Sequence, residues 1–310
     1  MGRVVPRLVR GISPISGSID DGFWSIPGSH QGITVTGQPV PDRPAHEYLH
    51  GSEASEQSRL ESQAKILGVA EHLPELRPGM RLLDVGCGTG AVAREVAKQV
   101  APGEVVGIDR EEAQLAVARQ MAVDQSIENV TFVEGDAINL PSPGASFDGV
   151  YSSMFLEHVS NPVQVASEMR RVAAFGGWVC LFEWETCSWT LYPEFPAIRH
   201  VWKAVYGLQA RQGGDPKIGR KLYSAFVRAG LSDVTVRGST LTITASQPDS
   251  LRRYVAGASE IIRQARPGML SGGMVTEDVL EQAKTEYDQL LASPDAFVFH
   301  GFCCATSINR

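Results

Sequence analysis

Short apolar runs alternate with longer stretches in which apolar residues recur every three or four positions. Arg81–Val85 is the first buried run, and it ends in Asp84 and Val85 before Gly86-Cys87-Gly88-Thr89-Gly90. Beyond the glycines, Val92, Val96 and Val100 stand four apart, the spacing of one helix face, so the glycines fall at a strand-to-helix turn. Glu104–Asp109 reads as a second, β-branched strand, Arg110–Asp124 as a helix with Leu115 and Ala118 on one face, and Val130–Glu134 as a third strand. Ser146–Ser152 is a fourth strand. Ser160-Asn161-Pro162 starts a helix with proline at the first helical position, running to about Phe175. Gly176-Gly177 closes that helix and Trp178–Trp184 forms a fifth strand. Such alternation implies a parallel sheet with helices on both faces.

Around this centre the pattern changes. A helix is expected from about Glu53 to Leu73, ended by Pro74. After Glu185 comes an aromatic block with Trp189, Tyr192, Phe195, Trp202 and Tyr206. Ile218–Ala229 reads as a helix and Asp233–Ala245 as β-rich. Two further helices, near Asp249–Ala265 and Thr276–Ala292, are separated by Pro267-Gly268 and Gly272-Gly273, and Ala296–Ile308 is a last strand. The expected parts are a flexible arm (1–45), a helical cap (46–77), a core (78–185), an aromatic lid insert (186–217), a core helix and strand (218–245), a helical lid insert (246–294) and the last core strand (295–310).

Composition narrows the class. The chain has 310 residues, 43% apolar and 20% charged, as in ordinary globular proteins. Its net charge of −7 argues against a nucleic-acid partner. No apolar run is long enough to span a membrane, and no secretory signal core is visible. Six prolines and few acids mark residues 1–45. Arg3, Arg7 and Arg10 fit a targeting peptide, but the composition favours an arm that orders on assembly, a route to a homo-oligomer through Phe23 and Trp24. Five scattered cysteines without a C-x-x-C pair point to reduced thiols, a cytoplasmic setting and no metal site.

The glycine spacing alone fits several nucleotides, NAD and FAD included, since Ala91 can stand for a third glycine. The acids discriminate. Asp84 points from the end of the first strand toward the turn, where a carboxylate repels a pyrophosphate and attracts an ammonium. Asp109 ends the second strand, where an acid accepts both hydroxyls of a ribose. Asp136 follows the third and can accept from an adenine amino group. An amine, a diol and an amino-purine without a phosphate make up the inventory of S-adenosyl-L-methionine.

On these residues the chain resembles the class I S-adenosylmethionine-dependent methyltransferases. The motifs are Leu83-Asp84-Val85-Gly86-Cys87-Gly88-Thr89-Gly90, Val106-Gly107-Ile108-Asp109, Glu134-Gly135-Asp136-Ala137, Phe147-Asp148-Gly149-Val150 and Leu156-Glu157-His158-Val159. They are most similar to the small-molecule branch that includes the ubiquinone and menaquinone C-methyltransferases. The resemblance implies an α/β, Rossmann-like fold: seven strands, mostly parallel, with the last one antiparallel, helices on both faces and a helical lid. It implies cofactor contacts from Asp84, Gly86, Cys87, Gly88, Gly90, Asp109, Arg110, Asp136, Ala137 and Ser152, with S-adenosyl-L-homocysteine as product. Upstream, Tyr48-Leu49-His50-Gly51 before Glu56-Gln57-Ser58-Arg59-Leu60 resembles the cap these enzymes close over the cofactor; Tyr48 is a cofactor contact there or a staple for the helix.

The acceptor is a small molecule, and its class is less legible. His158 is the best base candidate, or else a helix-start residue fixed by Glu157 and Asn161. Glu183 is a candidate catalytic or substrate ligand. Trp184, Trp189, Tyr192 and Trp202 suit a flat or hydrophobic acceptor, or else form ordinary lid core. The expected function is methyl transfer to carbon, nitrogen or oxygen of a biosynthetic metabolite. The alternatives are a cofactor-bound cyclase or regulator, and an NAD-dependent oxidoreductase.

Overall fold

The computed structural model describes residues 54–310. The arm, Tyr48 and the segment before the first helix lie outside the described residues. Among those described, seven strands form one sheet in the order β3-β2-β1-β4-β5-β7-β6. They are β1 (Arg81–Val85), β2 (Glu104–Asp109), β3 (Val130–Glu134), β4 (Phe147–Ser153), β5 (Ala173–Tyr192), β6 (Thr235–Thr244) and β7 (Phe297–Ile308). The pairings from β3 through β5 are parallel, and β7 runs antiparallel to both β5 and β6. This is the expected Rossmann-like sheet.

Alternate residues of each strand serve opposite faces. Leu83, Val106, Val150 and Leu181 pack against α5 (Pro162–Val172) and α7 (Leu222–Arg228). Leu82, Val105, Tyr151 and Phe182 pack against α3 (Ala91–Val100) and α4 (Glu112–Asp124). The same face takes Leu67 from α1 (Ala54–Leu67) and Val69 from α2 (Val69–His72), which Gly68 separates in the left-handed conformation. A third cluster joins α6 (Pro196–Arg211), α8 (Pro248–Ser271) and α9 (Glu277–Ala292) to the ends of β6 and β7. These three helices fall in the two segments expected to form the lid. Glu286, buried on α9, accepts the Ile198 backbone N–H at 2.9 Å and so secures the first turn of α6.

Several local signals read as expected. Asn161 caps α5 by accepting from the Gln164 N–H, and Thr276 caps α9. Three expectations need correction. The helix after Pro162 ends at Val172, not Phe175, because Ala173 already pairs with Phe147 of β4. The fifth strand does not stop at Trp184 but continues through Tyr192, paired with β7 across a register shift between Glu185 and Thr190. In that bulge the Ser188 hydroxyl accepts the Gly301 N–H at 2.7 Å, replacing the lost ladder bond. Finally, Pro267-Gly268 does not break α8. Ala265 and Met269, one turn apart, are buried on either side of the proline, and their packing outweighs its lost hydrogen bond. None of the described helices is long and apolar enough to cross a membrane.

Candidate functional site

The glycine turn is held from below and closed from both sides. Gly86 N and Cys87 N donate to the Ile108 carbonyl at 2.8 and 3.0 Å, and Gly88 N donates to Asp109 Oδ2 at 2.9 Å. Gly86 and Gly90 have φ of 74° and 70°, in the left-handed region. A Cβ on Gly86 would lie 2.3 Å from the Phe155 ring, and one on Gly90 would lie 2.4 Å from Phe132. Only glycine fits either position.

A buried ion pair ties α1 to this turn. Arg94, near the start of α3 and almost fully buried, donates to the Thr89 carbonyl and to Glu61 Oε1 at 2.6 Å. The Thr89 hydroxyl donates to the same Glu61 oxygen at 3.1 Å. Next to it on α1, the buried Glu56 carboxylate accepts two bonds from Arg59 at 2.7 Å and one from Gln264 of α8 at 3.0 Å. Strand β1's neighbour helix and the lid are thus joined through one polar seam. In a helix such as α3, Arg94 reads as a surface residue, so spacing alone does not reveal this seam.

Three acids stand at or just beyond the carboxyl ends of β1, β2 and β3, which are neighbours in the sheet. Asp84 is 2% exposed and sits in register between Gly107 and Tyr151. Burial pushes its carboxyl up to about 8, opposed by the Tyr151 hydroxyl. Asp109 is raised by burial as well, opposed by bonds from the backbone of Glu111 and Gly88. Asp109 Oδ2 accepts the Gly88 N–H and Oδ1 accepts the Glu111 N–H at 3.0 Å. Asp136 is exposed and accepts the Ile138 N–H at 3.1 Å, while Ala137 beside it is buried. Burial pushes the Cys87 thiol well up, reinforced by Asp84 and Asp109, so it is a neutral packing group against Gly107. Ser152 is fully buried, and its hydroxyl has no partner among the described residues. Arg110 is exposed and pairs with Glu111 at 3.2 Å. The donor set is acidic, which suits an amine, a diol and an amino-purine better than a pyrophosphate.

Beyond β4, a single 3-10 turn, Leu156–His158, carries the candidate base. His158 is largely buried, with Nε2 3.7 Å from Glu157 Oε1 and Nδ1 3.4 Å from Gln209 Nε2 of α6. Burial lowers its pKa, only partly offset by Glu157, so the ring is neutral at neutral pH. Glu183 lies behind this turn. It is fully buried, and its Oε1 accepts the Phe155 and Leu156 N–H groups at 3.0 and 2.8 Å. Burial and the nearby Glu157 hold its carboxyl well above the usual range. It thereby anchors the turn that carries Glu157 and His158, while its Oε2 has no hydrogen-bond partner among the described residues.

The aromatic candidates also divide. Trp184 is half-buried and stacks on His300 and Phe302, with centroids 3.8 and 4.2 Å apart. Trp189 and Trp202 come together at 6.0 Å inside the lid, and each indole N–H donates to a tyrosine: Trp189 to Tyr254 at 2.7 Å, Trp202 to Tyr287 at 2.8 Å. Tyr192 is not among them; it is 58% exposed at the end of β5. Tyr254 and Tyr287 escaped the sequence reading because each is a single aromatic in an otherwise ordinary amphipathic helix.

This arrangement has counterparts. Residues 76–213 match the family model described as a methyltransferase domain. The sterol 24-C-methyltransferase of Gibberella zeae is 38% identical over 110 residues, covering 35% of this chain and 29% of that protein. The demethylmenaquinone methyltransferase of Listeria monocytogenes is 33% identical over 135 residues, covering 43% and 54%. The chain thus spans about half or less of the length of these curated relatives. Among solved structures, the YcgJ protein of Bacillus subtilis superposes with a TM-score of 0.53 at 21% identity, covering 79% of this chain and 98% of that one. The matched segment is thus similar to methyltransferase domains, and the sheet has the fold of the YcgJ protein.

Proposed function

We propose that the chain transfers a methyl group from S-adenosylmethionine to a small, flat or hydrophobic metabolite. The observation that carries the reading is the set of three carboxylates, Asp84, Asp109 and Asp136, along adjacent strands beside a turn that only glycines can make. The cofactor supplies an activated methyl group on a sulfonium. In this reading Asp84 takes the amine, Asp109 the ribose diol and Asp136 the adenine amino group, and Gly88 lets the backbone come close. Cys87, Ala137 and the unpartnered Ser152 hydroxyl complete the walls.

Glu183 holds the turn after β4, and that turn holds His158. As a neutral imidazole, His158 can take the proton released when an oxygen or nitrogen acceptor gains the methyl. Most of the rate comes from holding the acceptor in line with the methyl and keeping water out. The lid at the carboxyl ends of β5 and β6 and the amino end of β7 serves both ends. The proposal extends to a biosynthetic role in the cytoplasm, supported by five cysteines that stand as free thiols.

The test is an incubation with methyl-labelled donor and a panel of phenolic and indolic acceptors. Label in an acceptor together with S-adenosylhomocysteine is the expected result. Donor bound tightly with no transfer to any acceptor would favour a cyclase or a regulatory binding protein.

A further inference from the structure

The lid presents more hydrogen-bond donors than it uses. Trp189 and Trp202 give their N–H groups to the Tyr254 and Tyr287 oxygens. Each phenol acts there as acceptor, so its own O–H remains to donate. Neither O–H finds an acceptor among the described residues. Tyr206 packs on Trp202 with centroids 5.4 Å apart, and its hydroxyl has no partner among the described residues either. The three phenols come from α6, α8 and α9, and the two indoles fix their positions. Burial keeps all three protonated.

The cluster is tied to the reacting end of the site. Gln209 lies three residues after Tyr206 on α6, hence on the same side of that helix. Its amide donates to Glu157 Oε2 at 3.1 Å and reaches within 3.4 Å of His158 Nδ1. One turn of α6 therefore separates Tyr206 from Gln209, the residue that touches the candidate base.

The groups facing Tyr206 also decide the charge of what fits. They include Tyr254, Glu157, Tyr287 and Cys187. An anionic ligand at the phenols would meet the Glu157 carboxylate, whereas a neutral oxygen would meet their hydroxyl donors.

We infer that Tyr206, Tyr254 and Tyr287 form an oxygen-recognition site, and that the acceptor is a flat aromatic bearing a neutral carbonyl group. This rests on the proposed methyl transfer and names its substrate class. Trp189 and Trp202, read from the sequence as substrate contacts, are the braces that orient the phenols. Tyr206 is the cleanest probe, because its hydroxyl binds nothing among the described residues.

The experiment compares 1-tetralone, tetralin and 1-naphthoate by ligand-observed NMR on the full chain with S-adenosylhomocysteine present. The first two share a ring system and differ by one carbonyl oxygen. The expected result is 1-tetralone binding about five-fold tighter than tetralin, the scale of one or two neutral hydrogen bonds, with 1-naphthoate weaker than 1-tetralone. In Tyr206→Phe the tetralone preference should fall to about two-fold or less, and Tyr254→Phe should reduce it too. Equal binding of tetralone and tetralin, no binding of either, tighter binding of naphthoate, or a preference unchanged in both variants would each overturn the inference. Calorimetry with S-adenosylhomocysteine on the same samples reports folding and the cofactor reading separately. Loss of that binding in the wild-type chain would overturn the methyl-transfer reading, while the tetralone preference still reports on the lid.

Discussion

Asp84 carries a proton that a bound ammonium would displace. Its carboxyl is pushed up to about 8, so the ligand-free protein holds it neutral at pH 7. A cation seated against it favours the ionised form. S-adenosylhomocysteine binding at pH 7 should therefore release a proton, read as a calorimetric enthalpy that varies with the ionisation enthalpy of the buffer. Asp84→Asn should remove that buffer dependence.

Asp109 is the predicted ribose partner, and Asp109→Ala should weaken the same binding by about 1–3 kcal/mol, the scale for charged hydrogen bonds. An unchanged affinity would place the ribose elsewhere. The histidines bear on stability. His158 and His300 are both held below the usual 6.5 by burial, His300 at about 3. Below 6.5 the unfolded chain binds protons that the folded chain does not, so stability is full above 6.5 and declines as pH falls toward 3. In His300→Phe, urea unfolding at pH 5 and pH 7 should differ less than in the wild type.

At the scale of elements, the sequence makes the strand-helix rhythm plain because each signal is local: β-branched runs, Asn161 before Pro162, Thr276 before two acids. The failures come where tertiary contacts override local rules. Ala173 joins a strand because β4 offers it a partner, and α8 passes through Pro267 because the lid core holds both sides of it. The seam between α1 and α3 is likewise invisible in spacing. Glu61 and Arg94 are 33 residues apart in sequence, and Arg94 is 1% exposed. Removing one partner of a buried pair leaves the other charge stranded. Glu61→Ala should thus lower unfolding stability by about 3 kcal/mol in urea titration, with a lowered melting temperature. A change below about 0.5 kcal/mol, as for an ordinary surface substitution, would mean the pair is not a structural clamp.

For the whole molecule, two regions of different legibility meet. The cofactor side was readable because its chemistry needs fixed residue types at strand ends: Asp84, the glycines, Asp109, Asp136. The acceptor side was not, because its chemistry is assembled from single residues on separate helices. Tyr206, Tyr254 and Tyr287 meet only through folding, and the hold of Glu183 on the turn bearing His158 is equally invisible in spacing.

The central claim is that the glycine turn and its three acids hold S-adenosylmethionine rather than a dinucleotide. Calorimetric titration of the purified chain with S-adenosylhomocysteine and, in parallel, with NAD tests it most directly. Saturable one-to-one binding of S-adenosylhomocysteine, weakened in Asp109→Ala, with no heat from NAD, is the predicted result. Binding of NAD without S-adenosylhomocysteine would contradict the account.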